Sequence, residues 1–259
     1  MRREMRLLFA CIASLIGTAA QADGVPRVST DPCCNSQPFA GAYVGAAVGY
    51  AQQHVDVLNT AVGAPAFGLT FKDTDASAMF GGYVGYNWQR CCDPLVFGIE
   101  ADLNYLNGSP TALDIEVFPV GTETTSLKSR IGWFGTLRGR LGYMIHDHML
   151  LYGTAGLALA RPDHTFFDDC PACAGGLTNQ GTISQTNSVT KAGWTVGGGG
   201  ELLHDERWLL RAEALYVDLG SETHYYNFVL PGGGTSSGSA KWDDQFWFAR
   251  VGVAYRFDH

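Results

Sequence analysis

Arg130-Ile-Gly-Trp-Phe-Gly-Thr-Leu-Arg-Gly-Arg-Leu-Gly-Tyr143 separates into two sets when alternate residues are taken together. Ile131, Trp133, Gly135, Leu137, Gly139, Leu141 and Tyr143 form an apolar set; Arg130, Gly132, Phe134, Thr136, Arg138, Arg140 and Gly142 carry all the charge. Successive side chains of a strand point to opposite faces, so this period of two marks a long strand with one apolar and one charged face. A soluble barrel turns such a charged face to water. A membrane barrel turns it to the lumen and offers the apolar face to lipid.

The same pattern recurs on both sides of this stretch. Phe97, Ile99, Ala101, Leu103 and Tyr105 alternate with Gly98, Glu100, Asp102 and Asn104, and Trp208, Leu210, Ala212, Ala214 and Tyr216 with Leu209, Arg211, Glu213 and Leu215. Near the end, Trp247, Ala249, Val251, Val253, Tyr255 and Phe257 alternate with Phe246, Phe248, Arg250, Gly252, Ala254 and Arg256. Eight strand-like runs are predicted, at 40–51, 76–88, 95–106, 128–143, 149–161, 190–203, 208–220 and 244–257. The connections between them alternate in length. Short ones fall at 89–94, 144–148 and 204–207, and long ones at 52–75, 107–127, 162–189 and 221–243. The long ones hold stretches such as Leu230-Pro-Gly-Gly-Gly-Thr-Ser-Ser-Gly238 and are expected to be solvated and mobile. A meander sorts successive connections to opposite ends, and transmembrane barrels have short periplasmic turns and long extracellular loops.

The start of the chain agrees. Arg2, Arg3 and Arg6, an apolar run through Ile16 and the ending Ala20-Gln21-Ala22 read as a secretory signal peptide over 1–22. An N-terminal periplasmic segment is then expected at 23–38 and the barrel at 39–259. The 33 glycines in 259 residues and the 16% charged residues depart from about 7% and 25% in soluble proteins. The formal net charge of -8 excludes a nucleic-acid partner, which needs a basic surface. The predicted fold is all-β: an eight-stranded antiparallel up-and-down transmembrane barrel with short periplasmic turns and four long extracellular loops.

In that orientation Glu100, Asp102, Glu201 and Glu213 face Arg130, Arg138, Arg140, Arg211 and Arg250 in the lumen, where eight strands leave a space about filled by side chains. Unpaired buried charge is costly, so a paired network is expected. Gly81, Gly85, Gly132, Gly197 and Gly199 on the same face leave room for it. Tyr50, Trp88, Tyr105, Tyr143, Trp208, Tyr255 and Phe257, near strand ends, are candidate membrane-interface aromatics.

Phe39-Ala-Gly-Ala-Tyr-Val-Gly-Ala46, Gly81-Gly-Tyr-Val-Gly-Tyr-Asn-Trp88, Phe97-Gly-Ile-Glu-Ala-Asp102, Gly135-Thr-Leu-Arg-Gly-Arg-Leu-Gly-Tyr143 and Arg211-Ala-Glu-Ala-Leu-Tyr216, in this order, resemble the strands of small alphaproteobacterial outer-membrane proteins. These are the outer-membrane immunogenic or opacity-type porin family, whose barrel is similar to the membrane domain of OmpA. Gly252-Val-Ala-Tyr255-Arg-Phe257 is similar to the terminal β-signal of such barrels, although Asp258 and His259 follow the phenylalanine that usually ends it. The resemblance implies a cell outer-membrane location, envelope integrity, surface exposure and, in some members, weak pore activity. Expected partners are outer-membrane lipid and lipopolysaccharide, and the barrel-assembly machinery during insertion.

Six of the seven cysteines follow the signal segment, as Cys33-Cys34, Cys91-Cys92 and Cys170-Pro-Ala-Cys173. An even count in an exported chain points to disulfides. Cross-links between the first two pairs are expected, with connectivity open, and a local loop disulfide in the third. His146-Asp147-His148 reads as a polar turn, and His164, Asp168 and Asp169 near the third pair do not complete a zinc site. No metal, cofactor or catalytic residue is assigned, because no nucleophile–base pair or motif with a catalytic spacing is present. The leading expectation is a structural outer-membrane barrel. The alternatives are a low-conductance channel, a surface adhesin acting through its loops, and a soluble lipocalin-like carrier, which an Arg- and Glu-rich lumen disfavours.

Overall fold

The computed structural model describes residues 37–61, 69–90, 93–118, 121–169, 183–229 and 235–257. The expected signal peptide at 1–22, all but the last two residues of the segment at 23–38, all six of the paired cysteines, and Asp258 and His259 lie outside these described residues. The strands are β1 (Gly41–Ala61), β2 (Leu69–Gln89), β3 (Leu95–Leu106), β4 (Thr111–Phe118), β5 (Gly121–His146), β6 (Met149–Asp169), β7 (Ile183–Ser188), β8 (Lys191–His204), β9 (Trp208–Val229) and β10 (Thr235–Arg256). Two of them are continuations. β4 prolongs β3 along one edge of β5, and β7 prolongs β8 along one edge of β6. The ring therefore has eight positions, β1-β2-β3-β5-β6-β8-β9-β10, all antiparallel, with β10 paired back onto β1. Closure leaves the lower part of the ring without an open edge, while in the upper part β4 and β7 pair on one side only, with β5 and β6.

Directly paired residues can be followed around it, from Tyr43 through Gly85, Glu100, Arg138, Gly156, Thr195, Val217 and Phe246. The path returns to β1 at Gln53 rather than Tyr43. This ten-residue stagger between Tyr43 and Gln53 requires the strands to tilt, by roughly 35–45° in barrels of this kind.

Among the described residues the four long connections expected as mobile loops are mostly strand, and for these residues that expectation is corrected; 62–68, 119–120, 170–182 and 230–234 lie outside the described residues. β1 and β2 stay in register from Gly41 opposite Asn87 up to Asn59 opposite Leu69, while β9 runs to Val229 and β10 starts at Thr235. Here the outward face is no longer apolar, so the alternation that marks a strand fades while Thr, Val and Tyr still favour extended backbone. The break between β3 and β4 keeps its backbone donors satisfied: Ser109 N donates to Asp75 Oδ2 at 3.0 Å and Thr111 N to Asp73 Oδ2 at 2.7 Å. At the opposite end the connections are tight. Asp205 and Glu206 take left-handed φ of 49° and 60°, the geometry that matches a hairpin turn to the strand twist.

Inward and outward alternation slips at two bulges. In β5 the register against β6 shifts between Ile131 and Phe134. Below the shift Phe134, Thr136, Arg138 and Arg140 point inward; above it Leu127, Ser129 and Ile131 do. Ile131 is therefore buried instead of facing lipid, and Arg130 is exposed instead of lining the lumen. Gly132 is likewise at the outer surface, against the Tyr105 ring. The second bulge is at Gly220 (φ 66°), beside the register shift between Asp243 and Gln245, and it moves the inner face of β9 from Leu215, Val217 and Leu219 to His224.

Candidate functional site

The lumen is filled in layers. At the end with the tight turns Phe39, fully buried, is held by Gln89 Oε1, which accepts from its N–H at 3.2 Å, and by Asn87 Nδ2, which donates to its carbonyl at 3.1 Å. Tyr43, Tyr83, Val96, Leu150, Tyr152 and Leu209 pack around it. The tyrosine rings cross the barrel wall over glycines: a Cβ on Gly85 would lie 2.3 Å from the Tyr43 hydroxyl, and one on Gly45 2.4 Å from the Tyr83 ring.

Above this layer four arginines and four carboxylates meet. Arg138 Nη2 donates to Glu100 Oε1 at 2.5 Å and Asp102 Oδ2 at 2.8 Å, while its Nη1 reaches Glu213 at 3.4 Å. Arg211 binds Glu201 through Nε at 2.8 Å and Glu100 through Nη1 at 2.6 Å. Arg250 donates to Glu213, Asn104 and Asp102 at 2.6, 2.8 and 2.9 Å. Arg140 pairs with Glu201 at 2.9 Å and donates to the Tyr43 hydroxyl at 2.8 Å, which donates in turn to Glu100 at 2.6 Å. Two guanidinium groups also lie over rings, Arg140 at 4.0 Å from the Tyr152 centroid and Arg211 at 4.2 Å from that of Tyr83. Of the nine residues expected here, Glu100, Asp102, Arg138, Arg140, Glu201, Arg211, Glu213 and Arg250 come together. Arg130 does not, and its exit leaves the network with equal numbers of each charge, as deep burial demands.

An apolar belt closes the lumen above the network. Ala51, Met79, Leu106, Ile131, Phe134, Ala158, Ala160, Leu215, Val217, Leu219, Phe246 and Phe248 are its members. The Phe134 ring lies 5.1 Å from Phe246 and 5.5 Å from Phe248. Higher still is a second polar cluster that sequence reading passes over. Asp244 Oδ2 accepts from Lys191 Nζ at 3.0 Å and bonds His164 Nε2 at 2.9 Å, and Ser129 Oγ donates to Asp244 Oδ1 at 2.9 Å. His164 Nδ1 meets His224 Nε2 at 2.9 Å, and the His164 ring stacks on Trp242 at 4.5 Å. Val57, Leu127, Phe166, Ala240 and Trp242 pack above and around these groups. Among the described residues no group of three or more His, Cys, Asp or Glu is arranged to hold a metal.

Outside, two aromatic girdles bound an apolar band. The upper one joins Phe80–Tyr105, Tyr105–Trp133, Trp194–Tyr216 and Tyr50–Trp247, with centroids 5.3, 5.1, 5.4 and 6.2 Å apart. The lower one holds Trp88 with Tyr86 at 4.8 Å, Trp208 with Tyr255 at 5.3 Å, Tyr255 with Phe257 at 5.4 Å, and Tyr143. All seven aromatics expected at an interface fall in these rings. Leu137, 58% exposed, and Leu157, 63% exposed, lie between them with Ile99 and Val251.

Residues 8–257 match the family described as outer membrane protein beta-barrel domain. The chain belongs to this outer-membrane β-barrel family. It is 30% identical over 262 residues to the 31 kDa outer-membrane immunogenic protein of Brucella melitensis, covering 97% of this chain and 99% of that relative. It is 33% identical over 147 residues to the 22 kDa outer membrane protein of Rhizobium leguminosarum bv. viciae, covering 56% and 55%. Among solved structures, the outer membrane protein OprG of Pseudomonas aeruginosa aligns over 85% of this chain and 98% of its own at 16% identity, with a TM-score of 0.48. As a member of the outer-membrane β-barrel family the chain resides in the outer membrane. The apolar band between the girdles is its lipid-facing surface, the tight turns are periplasmic, and the strand extensions form a collar outside the cell.

Proposed function

We propose that this outer-membrane barrel is a structural, non-enzymatic envelope protein: it contributes to envelope integrity and carries a rigid collar at the cell surface. The observation that supports this best is the apolar belt, to which seven of the eight ring positions contribute. It lies across the lumen between the charge network and the His164 cluster. An ion crossing it would leave every paired charge behind and shed its water, and lumens that stay water-filled belong to barrels of roughly twice this strand number. Acyl chains of outer-membrane lipid cover the band, and the assembly machinery reads β10 and the Phe257 that follows it.

Planar-bilayer recording of the purified, folded protein tests this reading. The expected record is a baseline without reproducible unitary steps, together with raised detergent sensitivity of cells lacking the protein. Steady steps that vanish in an Arg138 variant would instead favour a narrow ion path through the network. A second reading, attachment through the surface, draws on the collar, which holds side chains such as Tyr225 at 75% exposure in ordered strands. Loss of cell binding after exchange of the collar would support it.

A further inference from the structure

The β5 bulge does more than neutralise the lumen. It also puts Lys128 and Arg130 on the outer wall, just above the upper girdle, and Arg161 of β6 points outward at the same height. Lys128 and Arg130 are two residues apart on one face, about 6.7 Å by strand rise. Arg161 is diagonal to Arg130 across the β5–β6 ladder, where such neighbours lie about 7–8 Å apart. Among the described residues none of the three is engaged in an ion pair; Arg130 donates to the neutral Tyr105 hydroxyl at 3.3 Å. The carboxylate opposite Arg130, Asp163, accepts from Ser188 Oγ, and Asp73 and Asp75 accept from backbone amides of the β3–β4 break. Gly132 leaves a gap beside Arg130, since a Cβ there would find only the Tyr105 ring, at 3.8 Å. The floor of the gap is the Tyr105–Trp133 pair, and exposed Leu137, Leu157 and Leu159 continue below it.

The clustering is one-sided. Across the barrel the outward charged groups at this height, among the described residues, include Asp56 of β1 with His54 at 3.5 Å, Asp218 of β9, and Asp243 of β10 with Lys241 at 4.0 Å. On that wall Lys241 is matched by a carboxylate, whereas Lys128, Arg130 and Arg161 gather on two adjacent strands without an ion pair among the described residues, which mere anchoring at the interface does not require.

We propose that Lys128, Arg130 and Arg161 bind the sugar-linked phosphate groups of an outer-leaflet glycolipid, whose acyl chains run down the apolar wall below Trp133. Guanidinium groups match phosphate oxygens in pairs, and the aromatic floor suits a sugar ring. The apolar wall directly beneath the cations selects a lipid over a free anion. This inference does not depend on whether the lumen conducts.

The test uses the full-length protein folded into phosphatidylcholine vesicles that contain diphosphoryl lipid A, its dephosphorylated form, or phosphatidylglycerol. Lipid retained per barrel is counted by native mass spectrometry after transfer to detergent. The wild type should retain diphosphoryl lipid A, and K128Q/R130Q/R161Q should retain it more weakly by on the order of tenfold or more, each cation near an anionic surface acting independently. Lys241→Gln, on the opposite wall, should change nothing. Equal retention by wild type and triple variant overturns the proposal, as does equal retention of the phosphorylated and dephosphorylated forms. Matching retention of phosphatidylglycerol also overturns it, by reducing the site to general anion attraction, and so does displacement by inorganic phosphate alone. Should the triple variant not fold, R161Q carries the same test, because Arg161 is exposed and its removal leaves the barrel interior intact.

Discussion

The membrane-crossing half of the barrel and the collar above it share one hydrogen-bonded ladder but are built inside out relative to each other. Between the girdles Val48, Val84, Ile99, Leu137, Leu157, Val196, Leu210 and Val251 face outward, and Glu100, Arg138, Arg211 and Glu213 face inward. In the collar Lys128, Arg130, Arg161 and Tyr225 face outward, and Val57, Leu127, Phe166 and Trp242 fill the interior. Backbone pairing is indifferent to this reversal. The medium outside decides it: lipid offers no hydrogen bonds and water does, so the apolar side follows the lipid and then turns inward. β5 makes the change with a single bulge, which keeps its ladder to β6 while exchanging the faces of everything above Phe134.

The largest expected effect breaks the lower half. Arg138→Ala leaves Glu100, Asp102 and Glu213 facing one another without the guanidinium that all three contact, and stranding buried charge in this way costs about 3–5 kcal/mol. Urea unfolding of the barrel in vesicles, followed by the loss of its heat-modifiable gel form, measures it. A change below about 1 kcal/mol would mean that water reaches the network and screens it. Leu137→Arg sharpens the comparison itself, because a cation at the midplane of the lipid face costs about 2–4 kcal/mol. The matched change Thr165→Arg, on the outer face of the collar, should stay within about 0.5 kcal/mol. Equal costs would move the upper edge of the lipid band above the girdle drawn here. A smaller effect is expected inside the collar: Ser129→Ala removes one hydrogen bond to a buried carboxylate, worth about 1.5–3 kcal/mol at most. Amide exchange should register it in β5 and β10 above the belt, with the network strands unchanged.

How far the sequence could be read follows the same division. β10 was legible throughout its membrane part, because Phe246, Phe248 and Arg250 against Trp247, Ala249 and Val251 keep one phase down to Phe257. Eight of the nine network residues were legible for the same reason. Arg130 was not, since Ile131-Gly-Trp-Phe134 is apolar in either phase and a bulge there leaves no mark in the pattern. The collar was hidden because its outward face is as polar as a loop, so a stretch such as Thr122-Glu-Thr-Thr-Ser126 loses the apolar alternation while remaining in β5. His164, His224 and Asp244 stand 60 and 80 residues apart, and only the register of β6, β9 and β10 brings them into contact. The tyrosines that hold the network, Tyr43, Tyr83 and Tyr152, were within reach, because each is in phase with inward glycines or small residues on its own strand.

The smallest expected effect is a pH response confined to the collar. The membrane-crossing part of β9 ends at the upper girdle with Tyr216, and His224 stands eight residues further along the strand, above it. Burial lowers the pKa of His224 from its ordinary 6.5, and the adjacent His164 lowers it further, against the opposing pull of Glu222 and Asp244. A proton thus binds the unfolded segment more readily than the folded one, so the stability contributed by neutral His224 is complete above about pH 6.5 and declines as the pH falls below it. Protonation would place a cation close to Lys191, whose partner Asp244 is already shared with His164, and the pull of Glu222 and Asp244 does not outweigh burial and these neighbours. Amide exchange at 222–226, corrected for intrinsic rate, should therefore accelerate between about pH 7 and pH 5, while exchange at 209–215 keeps its protection because arginine stays charged throughout that range. His224→Gln should remove the pH dependence of the collar and leave the lower strands as they were. Loss of protection in both halves together would mean that the barrel opens as one cooperative unit, and that the belt of Phe134, Phe246 and Phe248 couples the two regions instead of separating them.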